Sequence, residues 1–447
     1  MISIEDLVLV PLYLFVIIGL ARLIKSNNIK QHPEYKYFVR GLWFKIIGVS
    51  AFVSIYLFYY GGGDTVTYFL GTKALGNLLL HDFSKGFAVL FNTNSYENSL
   101  SSFNYETGLP PWHYFYNKNT FLICRLSAPL YLLGYKSFLI TSILTSVFSY
   151  IGIWKFYRLV NILYPENSKI FAYIILFMPS LIFWGGGIMK DSYMLGATCW
   201  ITYSFYHVLI TRKKIFWNFC FLILNVVMII NCKPYILISL IPGFLIWVNN
   251  SYLKSIENSI VRVLVFPALI LIFIGSGVLI LSSLSDSMGV YGSIGGAIKK
   301  EQITQDDLLR EWHYGGNNYK LDRIDGSISG LLSSAPLAIF TALFRPLPWE
   351  IGSPTMVVSA IENTVLLLFV IYFLFRIGPF KFFRITFNDP FLVYCFFFSL
   401  FFAFGVGIAG TNFGALVRYK IPLMPFFFYF IYIVRKKTYL QFSDRKI

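Results

Sequence analysis

Apolar residues in this chain come in runs of about 17 to 22, repeated along most of its length, and a run of that size crosses the hydrocarbon core of a bilayer as one helix. In lipid, backbone N–H and C=O groups have no water to turn to, so such runs are confined to internally bonded helices. The sequence therefore predicts an all-α, polytopic helical membrane protein, a single integral membrane domain over residues 1–447. Its 447 residues are 57% hydrophobic, 19% aromatic and only 13% charged. The opening stretch carries Glu5 and Asp6 where a cleaved targeting peptide has cations, so the first run reads as a retained span.

The formal charge of +16 raises the question of nucleic acid, but its placement answers it. Candidate spans fall near 7–24, 44–60, 136–153, 169–185, 192–210, 215–231, 235–249, 262–282, 356–375, 389–408 and 420–434, about eleven in all. Alternate connections between them are rich in Lys and Arg: Lys25 to Lys45, Lys155 to Lys169, Arg212 to Lys214, Lys254 to Arg262, Arg376 to Arg384, and the tail from Arg435. That alternation marks cytoplasmic loops. It sets the N-terminus outside, the C-terminus in the cytoplasm, and two large exterior loops at 61–135 and 283–355. Two apolar stretches inside those loops, 121–134 and 328–344, read as interfacial or re-entrant helices, because making 328–344 a span would turn Arg376, Lys381 and Arg384 outward.

With this topology the unusual polar positions gather on one side. Gly61-Gly62-Gly63-Asp64 follows the second span, and Trp184-Gly185-Gly186-Gly187-Ile188-Met189-Lys190-Asp191 ends the fourth. Asn231-Cys232-Lys233 lies after the sixth, Arg345-Pro346-Leu347-Pro348-Trp349-Glu350 before the ninth, and Gly410 to Lys420, with Arg418, before the last. Ionisable groups at membrane depth are costly, which makes each a candidate functional position.

Every one of them also has a plainer role. Asp64 could cap the helix that starts at Thr65, or act as a general base beside a glycine turn. Lys190 and Asp191 could form an interfacial ion pair with Lys190 snorkelling, or Lys190 could join a helix N-terminus in holding phosphate. Arg345 fits an aromatic-belt anchor or a bidentate phosphate ligand oriented by Glu350. Arg418 and Lys420, and more mildly Lys233, break the charge rule on the exterior side, which an anionic ligand explains better than a solvated face does. For Glu362, within the ninth span, an interhelical hydrogen bond suffices.

Several chemistries have no visible home. The five cysteines show no CxxC spacing and read as apolar filler. The five histidines form no HxxxH or HExxH pair, which argues against a His-based metal centre; a divalent cation on Asp64 and other carboxylates stays open. Walker and GxSxG signatures are absent from the sequence, and no GxGxxG string stands between a strand and a helix as a dinucleotide-binding fingerprint requires.

The outside Asp64 after an early span, the Pro179-to-Trp184 segment ending in Lys190-Asp191, the Arg345-to-Glu350 stretch and the late Arg418-Tyr-Lys-Ile-Pro422-Leu-Met-Pro425 together resemble the GT-C superfamily of polytopic membrane glycosyltransferases, which use polyprenyl-phosphate sugars. The chain also resembles membrane proteins of bacterial polysaccharide gene clusters. The resemblance covers most of the chain as a layout and rests on short motifs. It implies Asp64 as the catalytic acid of the first exterior loop, and Arg418, Lys190 and Arg345 as ligands of the lipid phosphate. The family's acidic pair is replaced here by Asp64-Thr65-Val66-Thr67, and two spans precede it where one is usual. The resemblance implies a transferase at the outer face of a bacterial inner membrane. Such an enzyme moves a sugar from a polyprenyl-phosphate carrier to a lipid-linked glycan or other exported acceptor, with no nucleic acid partner. A repeat-unit polymerase using lipid-pyrophosphate glycans, or a transporter or flippase for an anionic lipid, are the competing readings. The flippase predicts related halves and midplane charges, neither of which the sequence shows.

Overall fold

Pro179, Pro390 and other breakers set where the helices of this chain begin. The computed structural model describes residues 4–91, 96–253 and 328–443, with isolated positions between 296 and 319. Among the described residues every named element is helical. The expected span 262–282 and most of residues 283–327 in the second exterior loop lie outside the described residues. Contacts divide the chain into two units, Met1–Tyr203 and Ser204–Ile447.

The first unit contains α1 (Asp6–Asn28), α2 (Phe38–Ser54), α3 (Asp64–His81), α4 (Phe83–Phe91), α5 (Lys118–Leu133), α6 (Phe138–Leu163) and α7 (Pro179–Trp184), with α8 running Lys190–Phe205. The second unit holds α9 (Ile215–Cys232), α10 (Pro234–Leu253), α11 (Ile328–Phe344), α12 (Val357–Ile377), α13 (Pro379–Phe387), α14 (Pro390–Ala409), α15 (Phe413–Tyr419) and α16 (Met424–Ser443). Among the described residues, seven helices are long and apolar enough to cross a membrane: Asp6–Asn28, Pro33–Tyr59, Phe138–Leu163, Ile215–Cys232, Pro354–Ile377, Pro390–Ala409 and Phe413–Tyr439. The chain is thus a helical membrane protein. Its outward surface agrees, since Leu7, Val8 and Phe15 on α1 and Phe375 on α12 are exposed in the manner of groups that face acyl chains.

Local chemistry explains the boundaries. Asn117 opens α5 by accepting from the Thr120 amide, and Ser137 opens α6 by accepting from Ile140. Asp389 accepts from the Phe391 and Leu392 amides, with Pro390 in the first position of α14, where its missing N–H is harmless. The expected span 169–185 is divided: a short helix Ser168–Phe171 widens into a π-helical turn at Ala172–Leu176, and α7 starts afresh at Pro179. Proline fixes its own φ and cannot donate to the preceding turn, so the run cannot continue as one helix. Of the stretches expected as interfacial helices, 121–134 is covered by α5 up to Leu133, with Gly134 ending that helix, and 328–344 coincides with α11.

Packing in the first unit depends on small residues. A Cβ at Gly152 of α6 would lie 2.0 Å from the Gly196 carbonyl oxygen of α8, so the two backbones touch there. Van der Waals contact of this kind replaces the hydrophobic drive that helices lose in lipid. Around the same seam α6 buries Thr141, Ser142, Thr145, Ser146 and Ser149.

Candidate functional site

Asp64 stands in the first turn of α3, immediately after a turn in which Gly61, Gly62 and Gly63 all have positive φ, at 66°, 158° and 113°. Side chains avoid that backbone region, so glycine is what lets the chain reverse out of α2 and start α3. Just before it, the helix loosens into a π-helical turn at Ile55–Tyr59, a feature found frequently at functional sites. Asp64 is half-buried, and its Oδ1 accepts a hydrogen bond of 2.9 Å from the Tyr114 hydroxyl. Tyr114 comes from the short helix Trp112–Tyr116 and meets Tyr68 edge-on at 4.7 Å. The helix dipole of α3 favours the negative charge at this end. Lys73, further along the same helix, is exposed.

Next to Asp64, Thr65 is fully buried, and among the described residues its hydroxyl has no hydrogen-bond partner. A buried hydroxyl left in that state costs about 1–3 kcal/mol. Beside it lies the glycine turn leading to α8. Gly187 has φ +72°, and a Cβ there would fall 2.6 Å from the Phe52 ring and 3.4 Å from Thr65 Oγ1. The turn is tied down from within: the Gly187 amide donates to Ser146 Oγ at 3.1 Å and Ser192 Oγ donates to the Gly186 carbonyl at 2.7 Å. Three residues on, Lys190 begins α8, half-buried, with Nζ donating to Thr120 Oγ1 at 2.8 Å. Asp191, in the same first turn, is buried. The start of α3 at Asp64–Thr65 therefore lies beside the Gly187 turn, three residues before α8 begins at Lys190.

A further cation supports this turn from below. Lys45, expected at the edge of a basic loop, is buried inside α2 and donates to the carbonyls of Leu181 at 3.2 Å and Gly185 at 2.6 Å. Those carbonyls terminate α7, where no intrahelical donor remains. Lys45 thus satisfies the end of α7 and fixes the point from which the Gly185–Gly187 turn departs.

The second unit places the other expected residues differently. Arg345 follows α11, and its Nε donates to Glu350 Oε1 at 2.8 Å while Nη2 bonds the same oxygen. Nη1 reaches Thr341 at 3.5 Å. Glu350 Oε2 accepts from the Leu347 amide at 2.8 Å, which closes the Pro346–Pro348 turn on itself. The guanidinium lies over two rings, Tyr319 and Phe413, each 4.9 Å away. Burial pushes the Tyr319 hydroxyl up, with the Arg345 charge opposing. Lys420 is buried and donates to the Arg345 carbonyl at 3.0 Å and to Asn363 Oδ1 at 2.8 Å. Lys233 is buried with Nζ over the Tyr419 ring at 4.6 Å. Arg418 is half-buried in the last turn of α15, its Nε donating to the Gly414 carbonyl at 3.3 Å. Arg345, Glu350 and Lys420 are therefore one linked cluster.

Tyr114, Thr120, Ser146, Thr65 and Lys45 are residues that sequence reasoning did not single out. For Ser146 a signal existed: Ser and Thr recur at 141, 142, 145, 146 and 149, a polar stripe at helical spacing inside an apolar span. Tyr114 lies in a loop without periodicity and offered none. Among the described residues no group of three or more His, Cys, Asp or Glu side chains comes together to hold a metal ion. Compared with known proteins, the chain matches no family model, no curated protein and no solved structure.

Proposed function

We propose that this protein is an inverting glycosyltransferase with about eleven spans, N-terminus outside and C-terminus cytoplasmic, working at the outer face of a bacterial inner membrane. It moves a sugar from a polyprenyl-phosphate carrier to a lipid-linked glycan or other exported acceptor. The observation that carries this reading is the approach of the segment that starts α3 with Asp64 to the glycine turn that leads into α8 with Lys190, at Thr65 and Gly187: in this reading a proton acceptor and a phosphate ligand are held in one unit.

In this reading the acceptor hydroxyl attacks the anomeric carbon while its proton passes to Asp64. The bond from that carbon to the phosphate oxygen breaks, and polyprenyl phosphate departs with the electron pair. Lys190 and the amides at the start of α8 stabilise the charge that grows on the departing oxygen, an effect that belongs to the transition state. Tyr114 orients the Asp64 carboxylate. Arg345, Glu350 and Lys420 hold the second unit together.

The test is transfer of labelled sugar from a panel of polyprenyl-phosphate monosaccharides in reconstituted membranes. Asp64→Asn keeps the shape and removes the base, and the expected loss of turnover is about 100-fold to 10,000-fold. Full activity in a folded Asp64→Asn protein would end the proposal.

A further inference from the structure

The loop between α12 and α14 is a helix with three distinct sides. In α13, Phe382, Ile385 and Thr386 are buried, and Phe382 packs on Phe373 of α12, Phe396 of α14 and Phe430 of α16. A second side carries Phe380, Phe383 and Phe387, which are 92%, 46% and 51% exposed. The third side carries Lys381 and Arg384, with Asn388 after them. At helical spacing these three sets fall on separate faces, so the helix is neither a simple core element nor a solvated turn.

The neighbours of the exposed rings show what covers them. Phe383 contacts Phe396, and Phe387 contacts Phe397, while Phe397 in turn contacts Phe401. Phe396, Phe397 and Phe401 lie on the outward side of α14, a candidate membrane span, with Phe401 44% exposed. The exposed rings of α13 therefore continue a surface that faces acyl chains. Two candidate spans, ending at Ile377 and starting at Pro390, bracket the helix, which fixes it at the boundary of the bilayer. A helix with its apolar side in hydrocarbon and its cations beside it sits in the plane of the interface.

Charge then selects the lipid. From Arg376 to Asp389 the chain carries Arg376, Lys381 and Arg384 against one acid, Asp389. That acid is engaged already: it caps α14 and accepts from Lys437 Nζ at 2.6 Å. Arg384 is exposed, and Arg376 meets no acid among the described residues, its Nη1 donating to the Tyr372 hydroxyl at 3.3 Å. We propose that α13 is a docking site for the headgroups of anionic phospholipids, with Phe380, Phe383 and Phe387 in the acyl region and Arg376, Lys381 and Arg384 on the phosphodiester. This site is independent of the transferase reading.

The test is retention of lipid by the full chain, purified from membranes of mixed phosphatidylethanolamine and phosphatidylglycerol and measured by native mass spectrometry. The wild type is expected to hold phosphatidylglycerol in preference to phosphatidylethanolamine. Cations near a membrane surface act roughly additively, and each contributes about fivefold, so Lys381→Gln with Arg384→Gln is expected to lower retained phosphatidylglycerol by about 25-fold. Arg384 is exposed and Lys381 half-buried, and neither belongs to the buried side of α13, so the fold is expected to survive; Lys213→Gln, an exposed cation elsewhere in the same unit, serves as the reference and is expected to retain lipid as the wild type does. Equal retention of the two lipids by the wild type overturns the proposal. So does a double variant that retains phosphatidylglycerol undiminished, or a Lys213→Gln protein that loses as much as the double variant.

Discussion

The first unit and the second both contain a lysine or arginine near an acid, flanked by glycine or proline, yet they use the charges in opposite ways. Around Asp64 and Lys190, Asp64 accepts from the Tyr114 hydroxyl and Lys190 donates to the Thr120 hydroxyl, and both charged groups are half-buried. Around Arg345 the partner is Glu350, and the fork is further enclosed by two rings and by Thr341. A charge bonded to a neutral side chain keeps its field for a ligand. A charge bonded to its opposite, out of water, chiefly holds its surroundings in place. In the proposed function the same residue types thus serve chemistry in one unit and architecture in the other.

The contrast is broken most sharply at Glu350. Glu350→Ala leaves the Arg345 guanidinium in a poorly hydrated place without its carboxylate, and the expected cost is about 3 kcal/mol, read as a lowered thermal midpoint in detergent. Turnover of the protein that remains folded should be nearly unchanged. Tyr114→Phe should do the reverse. It removes one hydrogen bond to a carboxylate and is expected to lower kcat about tenfold, with a thermal midpoint close to the wild type. Were Tyr114→Phe to unfold the protein instead, the two units would not differ in the way described.

Thr65→Val gives the smallest effect and sharpens the comparison furthest. Because the Thr65 hydroxyl is buried without a partner among the described residues, an isosteric methyl should leave stability unchanged or raise it by about 1 kcal/mol. If the hydroxyl meets the donor, KM for the polyprenyl-phosphate sugar rises in the same variant. A loss of stability with no change in KM would show that Thr65 serves packing alone.

The membrane class and the helical fold were legible in the sequence because both follow from run length, which the bilayer dictates and no tertiary contact can override. Charged exceptions were legible for the same reason, and Asp64 and Lys190 were visible as groups that lipid does not tolerate without cause. Their division into two kinds was not. Whether a cation meets Thr120 or Glu350 depends on which helices pack together, and Tyr114 reaches Asp64 from 50 positions away. Lys45 shows the limit from the other side: it reads as loop charge from its neighbours in sequence, whereas its partners are the carbonyls that end α7, 136 and 140 positions later. The break at Pro179 was signalled by the proline itself and hidden by the apolar run around it.

The most direct measurement compares Lys190→Gln with Arg345→Gln in one preparation, recording sugar transfer and thermal midpoint for each. The account predicts that Lys190→Gln lowers turnover about 100-fold with its midpoint unchanged, while Arg345→Gln lowers the midpoint and leaves the turnover of the folded fraction nearly intact. A Lys190→Gln protein that transfers sugar at the wild-type rate, with Arg345→Gln folded but inactive, would contradict it.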